Sequence, residues 1–268
     1  MIYIVYDNQP KSGYFIQINN QNCHYKILVN DILNYSYHNV YPGYSIRPML
    51  NYQILKSGIQ HLTVIVTPLQ SDTLSANTDL TIQIIRYADL SNKTDYGGST
   101  VILEWELPPI DKDSPLPFIR FDTTFHAEVP YEMNSINYAI DLREMDKYVL
   151  LKEVVSKFKE YHQMIRTDYD RFNIEAREGI LSAVIPTYKT RAEIEEVLIE
   201  NKLDFANEEY SSTMQPMENF KMVLYGNGKL ATLERLSDGG RIIWCRDPET
   251  GEQILSFPLF IYKDTRDN

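Results

Sequence analysis

Residues 222 to 231 read MVLYGNGKLA, and within them Gly226-Asn227-Gly228-Lys229 has the composition of a phosphate-cradling loop. Such a loop works by turning backbone N–H groups toward an anion at the start of a helix. The preceding KMVLY is strand-like, as that motif requires, but Leu230, Thr232 and Glu234 then alternate against Ala231, Leu233 and Arg235. No helix opens there, and the GxxxxGK[ST] spacing is missing. Asn-Gly between two alternating runs instead predicts a hairpin turn, because both residues tolerate positive φ.

The other reactive side chains are scattered. His24, His38, His61, His126 and His162 form no HxH, HxxxH or HExxH pattern, so no metal ligand is assigned. Cys23 and His24 are adjacent, and in a strand adjacent side chains leave opposite faces, so they cannot form an ion pair. Cys23 and Cys245 make no CxxC and are expected to be buried or idle thiols. No serine lies in a GxSxG elbow, and DKDSPLP lacks the glycine and final glutamate of a calcium loop. Glu193, Glu196 and Glu200 are expected on a solvated helix face. Asp170, Glu175 and Glu234 are the carboxylates that an enzyme cavity could use. No catalytic residue and no cofactor site is assigned.

The elements that must carry these residues change period midway. YFIQIN (14–19), YKILVN (25–30), HLTVIVTP (61–68), LTIQIIRY (80–87), TVILEWEL (100–107) and FIRFDTTFHAEV (118–129) alternate or run apolar between turns rich in Pro, Gly, Asn and Ser. That pattern predicts an all-β antiparallel sandwich over 1–132. From Asp141 the apolar spacing becomes three and four. Tyr148, Leu151, Val155, Phe158, Tyr161 or His162, Ile165, Tyr169 and Phe172 define one stripe on a long helix, with Asp141-x-x-Glu144 as its cap. A shorter helix is expected near 173–184, stopped by Pro186. Thr190-x-x-Glu193 is a capping box opening a helix to about Asn201. KMVLYG, KLATLER, RIIWCRD and EQILSFPLFIYK then predict a curved four-stranded antiparallel meander. Residues 133–268 therefore read as an α+β domain, and the chain as two domains.

The 268 residues are 43% hydrophobic with a net charge of −11, which disfavours a nucleic-acid surface and permits a basic protein partner. No apolar run approaches a membrane span. MIYIVYDNQP lacks a basic n-region, so the chain as written is expected in the cytoplasm, or in the periplasm if a leader has been removed. Twenty tyrosines stand out. YSYHNVYPGY concentrates four of them, and Tyr35, Tyr37, Tyr41 and Tyr44 are read as a loop that binds a partner.

The cadence SIRPMLNYQILKSGIQHLTVIVTP (45–68), an apolar lead-in, a glycine turn and an alternating strand, resembles galactose-binding-like and jelly-roll sandwich modules and N-terminal modules of toxin-associated bacterial proteins. The helices-then-meander order resembles the cone of the nuclear-transport-factor and ketosteroid-isomerase type, in which Tyr169, Tyr225 and Trp244 would line a pocket. These resemblances and the missing motifs favour a non-enzymatic protein-binding module, specifically a bacterial immunity protein that blocks a basic toxin. A small-molecule enzyme or ligand binder in the cone, and a glycan-binding sandwich, are the alternatives.

Overall fold

The structure is a computed structural model that describes residues 3–5, 9–39, 41–133, 135–190, 192–196 and 212–265. Antiparallel strands predominate and helices are few. Contacts divide the chain into two compact units, Met1–Asn134 with Pro186–Tyr188, and Ser135–Ile185 with Lys189–Asn268.

The first unit holds β1 (Tyr3–Val5), β2 (Gly13–Gln21), β3 (Cys23–Val29), β4 (Ile32–Tyr37), β5 (Gly43–Ile46), β6 (Gly58–Pro68), β7 (Asp79–Tyr87), β8 (Ser99–Glu106), β9 (Ile119–Ala127) and β10 (Tyr131–Met133). Two four-stranded antiparallel sheets run β5-β2-β7-β8 and β4-β3-β6-β9, and β1 pairs with β10. Period-two alternation sets which side chains are buried. Ile16 and Ile18 face inward from β2, Ile82 and Ile84 from β7, Tyr25 and Ile27 from β3, and Leu62, Val64 and Val66 from β6. Registers such as Ile16↔Ile84 and Ile27↔Val64 align these rows. Each fully buried Ile, Leu or Val contributes about 1.5–3 kcal/mol. Rings join the two sheets at three places: Tyr14 with Phe125, Tyr37 with Tyr44, and Trp105 with Phe121.

All six expected strands of this half are present. Two further strands fall where a loop was expected: Tyr35 and Tyr37 belong to β4, and Tyr44 belongs to β5. The turn before β4 is Asn30-Asp31, with φ of 54° and 60°. Two consecutive left-handed residues give the hairpin twist that brings β4 back onto β3.

The first α-helix of the second unit, after two 3-10 turns, is α1 (Lys147–Thr167). Its cap is Asp146, whose Oδ1 accepts from the Tyr148 and Val149 amides at 2.9 and 3.0 Å. The expected cap Asp141 instead accepts from Arg143 N at 3.0 Å and opens a separate 3-10 turn, Leu142–Glu144. The buried row of α1 is Leu150, Val154, Phe158, Met164 and Ile165. The first half of the expected stripe is therefore displaced. Tyr148 is 82% exposed, and Leu151 and Val155 lie half-buried beside the core row. An apolar pattern wide enough to cover two faces of the helix does not say which face is inside.

α2 (Tyr169–Glu175) and α3 (Arg177–Val184) come next, so the expected long helix stops at Thr167, leaving Tyr169 and Phe172 on α2, and the expected shorter helix is split at Ala176. Thr190 and Glu193 make the expected capping box: Thr190 N donates to Glu193 Oε2 at 2.7 Å, and Glu193 N to Thr190 Oγ1 at 3.3 Å. The helix is seen over 192–196; its expected continuation to 201, with Glu200, lies outside the described residues.

The C-terminal strands are β11 (Phe220–Tyr225), β12 (Leu230–Arg235), β13 (Trp244–Arg246) and β14 (Gln253–Ser256). They do not form a four-stranded meander. β11 pairs with β12 and β13 with β14, and single bridges such as Glu234↔Arg241 and Ala231↔Ile261 add to these pairings. Ile242 and Ile243 are consecutive and both buried, which one face of a strand cannot accommodate. Pro258, two residues past the end of β14, lacks the N–H that a continued ladder would need. Gly226, Asn227 and Gly228 have φ of 61°, 57° and 85°, and Tyr225 faces Leu230, so GNGK closes the β11–β12 hairpin.

Candidate functional site

The first unit gathers tyrosines at one edge, where β4 and β5 end their respective sheets. Cross-strand register sets Tyr25 opposite Tyr37. Their rings stack at 5.6 Å and 13°, and Tyr35 lies 6.1 Å from Tyr25. Tyr37 also stacks against Tyr44 of β5 at 5.3 Å and 15°. The result is a three-ring column, Tyr25–Tyr37–Tyr44, buried at one end and 44% exposed at Tyr44. Tyr37 Oη donates to Tyr41 O at 2.9 Å and so fixes the backbone beneath Tyr41, itself 58% exposed.

Burial raises the inner ionisable groups of the cluster, so they stay protonated near neutral pH. Burial pushes the Tyr25 phenol far up, and the neighbouring Tyr35, Cys23, Tyr44 and Tyr37 add to the shift. Tyr35 is raised by burial and then by the Tyr44 hydroxyl beside it. Burial pushes the Cys23 thiol up to about 11, so it stays protonated near neutral pH and is a poor nucleophile. Among the described residues Tyr25 Oη and Asn20 Oδ1 are buried without a hydrogen-bond partner, while Asn20 Nδ2 donates to Cys23 O at 2.9 Å. An uncharged aromatic column with hydroxyl tips can stack on a partner group and exchange hydrogen bonds with it. His24 lies on the other face from Cys23, its ring 5.4 Å from that of His38 and its Nε2 3.2 Å from Asn39 O.

Tyr35, Tyr37, Tyr41 and Tyr44 are therefore brought together, but they differ in depth: Tyr41 and Tyr44 are exposed, Tyr35 is half-buried and Tyr37 is core. Tyr25 and Asn20 complete the cluster. Their signal was available in the alternation of Cys23, Tyr25 and Ile27, which marks Tyr25 as inward-facing.

In the second unit lie Tyr169, Tyr225 and Trp244, the residues expected to line a pocket. Tyr169 packs on Phe172 at 5.4 Å, against a core cluster that includes Phe158, Leu233 and Ile243. Tyr225 Oη donates to Glu234 Oε1 at 2.5 Å, edge-on to Phe260. Glu234 is buried, with Lys221 Nζ 4.0 Å from its Oε2. Trp244 lies under the Arg235 guanidinium at 4.4 Å, and Arg235 is itself held by two bonds to Asp238. Asp170 and Glu175 are on the exposed side of α2, where Glu175 pairs with Arg171 at 2.9 Å. Among the described residues no group of three His, Cys, Asp or Glu side chains converges as metal ligands would, and no helix is long and apolar enough to cross a membrane.

Compared with protein-family models, curated proteins and solved structures, the chain matches none.

Proposed function

We propose that the chain is a non-enzymatic protein-binding protein whose contact surface centres on Tyr44 and Tyr41. The observation that carries this is the stacked column Tyr25–Tyr37–Tyr44, which holds an exposed ring in one orientation on a buried base. A ring already fixed in place loses little entropy on binding, which is why rigid tyrosines act as interface anchors. The net charge of −11 favours a basic partner through long-range attraction. On this reading the two sheets of the first unit act as a rigid sandwich domain that presents the column, and the second unit is a separate domain. The specific form is an immunity protein that covers the active site of a basic toxin.

The test is co-expression with the products of the genes flanking this one, followed by size-exclusion chromatography. A stoichiometric complex is expected, and Tyr41→Ala with Tyr44→Ala should weaken it at least about tenfold. A complex indifferent to both substitutions, or none with either flanking product, overturns the reading.

A further inference from the structure

α1 carries a surface whose charge is opposite to that of the whole chain. It has five basic and two acidic residues, a net of +3 within a chain of −11. Both acids are paired, Glu160 with Lys157 of the same helix and with Arg171 of α2, and Glu153 with Lys263. Lys152, Lys159 and Arg166 recur every seven residues, so they fall along one line of the helix about 21 Å long. Two shallow hollows of about 380 and 390 Å³ lie along this line and share Lys159. Their apolar lining comes from Leu151 and Val155 at one end and from Met214 and Met217 at the other. The bond between His162 Nε2 and Gln215 O, 2.9 Å, holds the methionine segment against the helix. Among the described residues no Asp or Glu lines either hollow.

We infer that this groove docks an acidic amphipathic helix of a partner protein, with apolar residues laid on Leu151, Val155 and Met217 and Asp or Glu side chains facing Lys152, Lys159 and Arg166. Helix-in-groove recognition requires a stripe of apolar contacts flanked by charges that set orientation, and both are present here. Adaptable methionines at one end suit a helical ligand. A second copy of α1 would bring a +3 helix against a +3 helix. An anionic membrane would have to overcome the repulsion of the remaining chain, which outweighs the lysines. The surface is distinct from the Tyr44 column and does not depend on it.

The experiment is fluorescence anisotropy of the full chain with a labelled amphipathic peptide of about 18 residues, long enough to span the groove, with leucines on one face and glutamates flanking them. Controls are a scrambled peptide of the same composition and one with lysine in place of each glutamate. Binding of the glutamate peptide is expected, weakening at least about tenfold on Lys152→Glu/Lys159→Glu/Arg166→Glu and falling with added salt, while Tyr44→Ala leaves it unchanged. The three residues are exposed, and circular dichroism checks that the fold survives; the triple Gln variant gives the intermediate case. Four results overturn the inference: equal binding of the scrambled or lysine peptide, no binding up to about 100 μM, sedimentation with phosphatidylserine vesicles in place of peptide binding, and a dimer in light scattering that the triple Glu variant abolishes.

Discussion

Tyr37 and Tyr44 belong to different sheets, yet their rings stack at 5.3 Å and 15°. Among the described residues no main-chain bond joins β4 to β5 along that edge, so the ring pair helps hold the sheets together there. Tyr37 is buried and Tyr44 half exposed. Tyr37→Ala should cost about 3–4 kcal/mol in urea unfolding, as large aromatic deletions in cores do. Tyr44→Ala should cost much less, about 1 kcal/mol, which makes it the usable probe of binding.

Asn51 is fully buried, and its side chain makes three bonds: Oδ1 accepts from Tyr14 N at 2.7 Å, and Nδ2 donates to Ser12 O at 3.0 Å and to Tyr188 Oη at 3.2 Å. Asn51→Leu removes them and leaves Tyr14 N without its acceptor. A loss of about 2–4 kcal/mol is expected, measured as a shift in denaturation midpoint with unchanged slope.

Tyr25, Tyr35, Tyr131 and Tyr188 all have phenols raised above the ordinary value of 10.0, with burial as the first cause. A raised phenol binds its proton more tightly in the folded chain than in the unfolded one. The stability it contributes is fully present below pH 10 and is lost as pH rises from there toward the folded value. Alkaline titration followed by phenolate absorbance should therefore show late tyrosines ionising together with unfolding, and Tyr35→Phe should remove one of them.

Gly228 sits at φ +85°, and a Cβ there would meet Arg143 Nε and Asp141 Oδ1 at 2.6 Å. Those two side chains form a bidentate pair, and the Arg143 guanidinium holds the Asp141 carboxyl down at about 2. Gly228→Ala should destabilise by about 2 kcal/mol through strain and displacement of the pair, measured by thermal unfolding.

Both thiols are buried. Cys23 and Cys245 should resist an aromatic disulfide reagent near neutral pH in the native chain and react fully in denaturant. Rapid labelling of Cys23 in the native state would show that the tyrosine edge opens.

Alternation made β2, β3, β6, β7 and β9 legible, because each buries one face and period two leaves one solution, and β8 was legible from its apolar, β-branched run although it buries no residue. β4 was not read: Asn34, Tyr35 and Ser36 look like loop chemistry, and only pairing with β3 makes them strand. The capping box at Thr190 was legible because its two bonds are local. The inner face of α1 was not, since Leu150 or Leu151 could equally begin it and only the strands packed against it choose. The tyrosines were found by composition, but composition is blind to order along a stack. It could not say that Tyr37 is core and Tyr44 is surface.

Pro186–Tyr188 belongs with the first unit although the chain on either side of it belongs to the second. Tyr188 Oη donates to Ser12 O at 2.7 Å, and Asn51 reaches it across 137 positions of sequence. On the ribosome this imposes a waiting time. Every strand of the first unit is synthesised by residue 133, yet Asn51 cannot complete its bonds until Tyr188 has also left the exit tunnel. The nascent first unit stays one latch short of finished while more than fifty further residues are made, and a protein truncated between its two units never closes that latch.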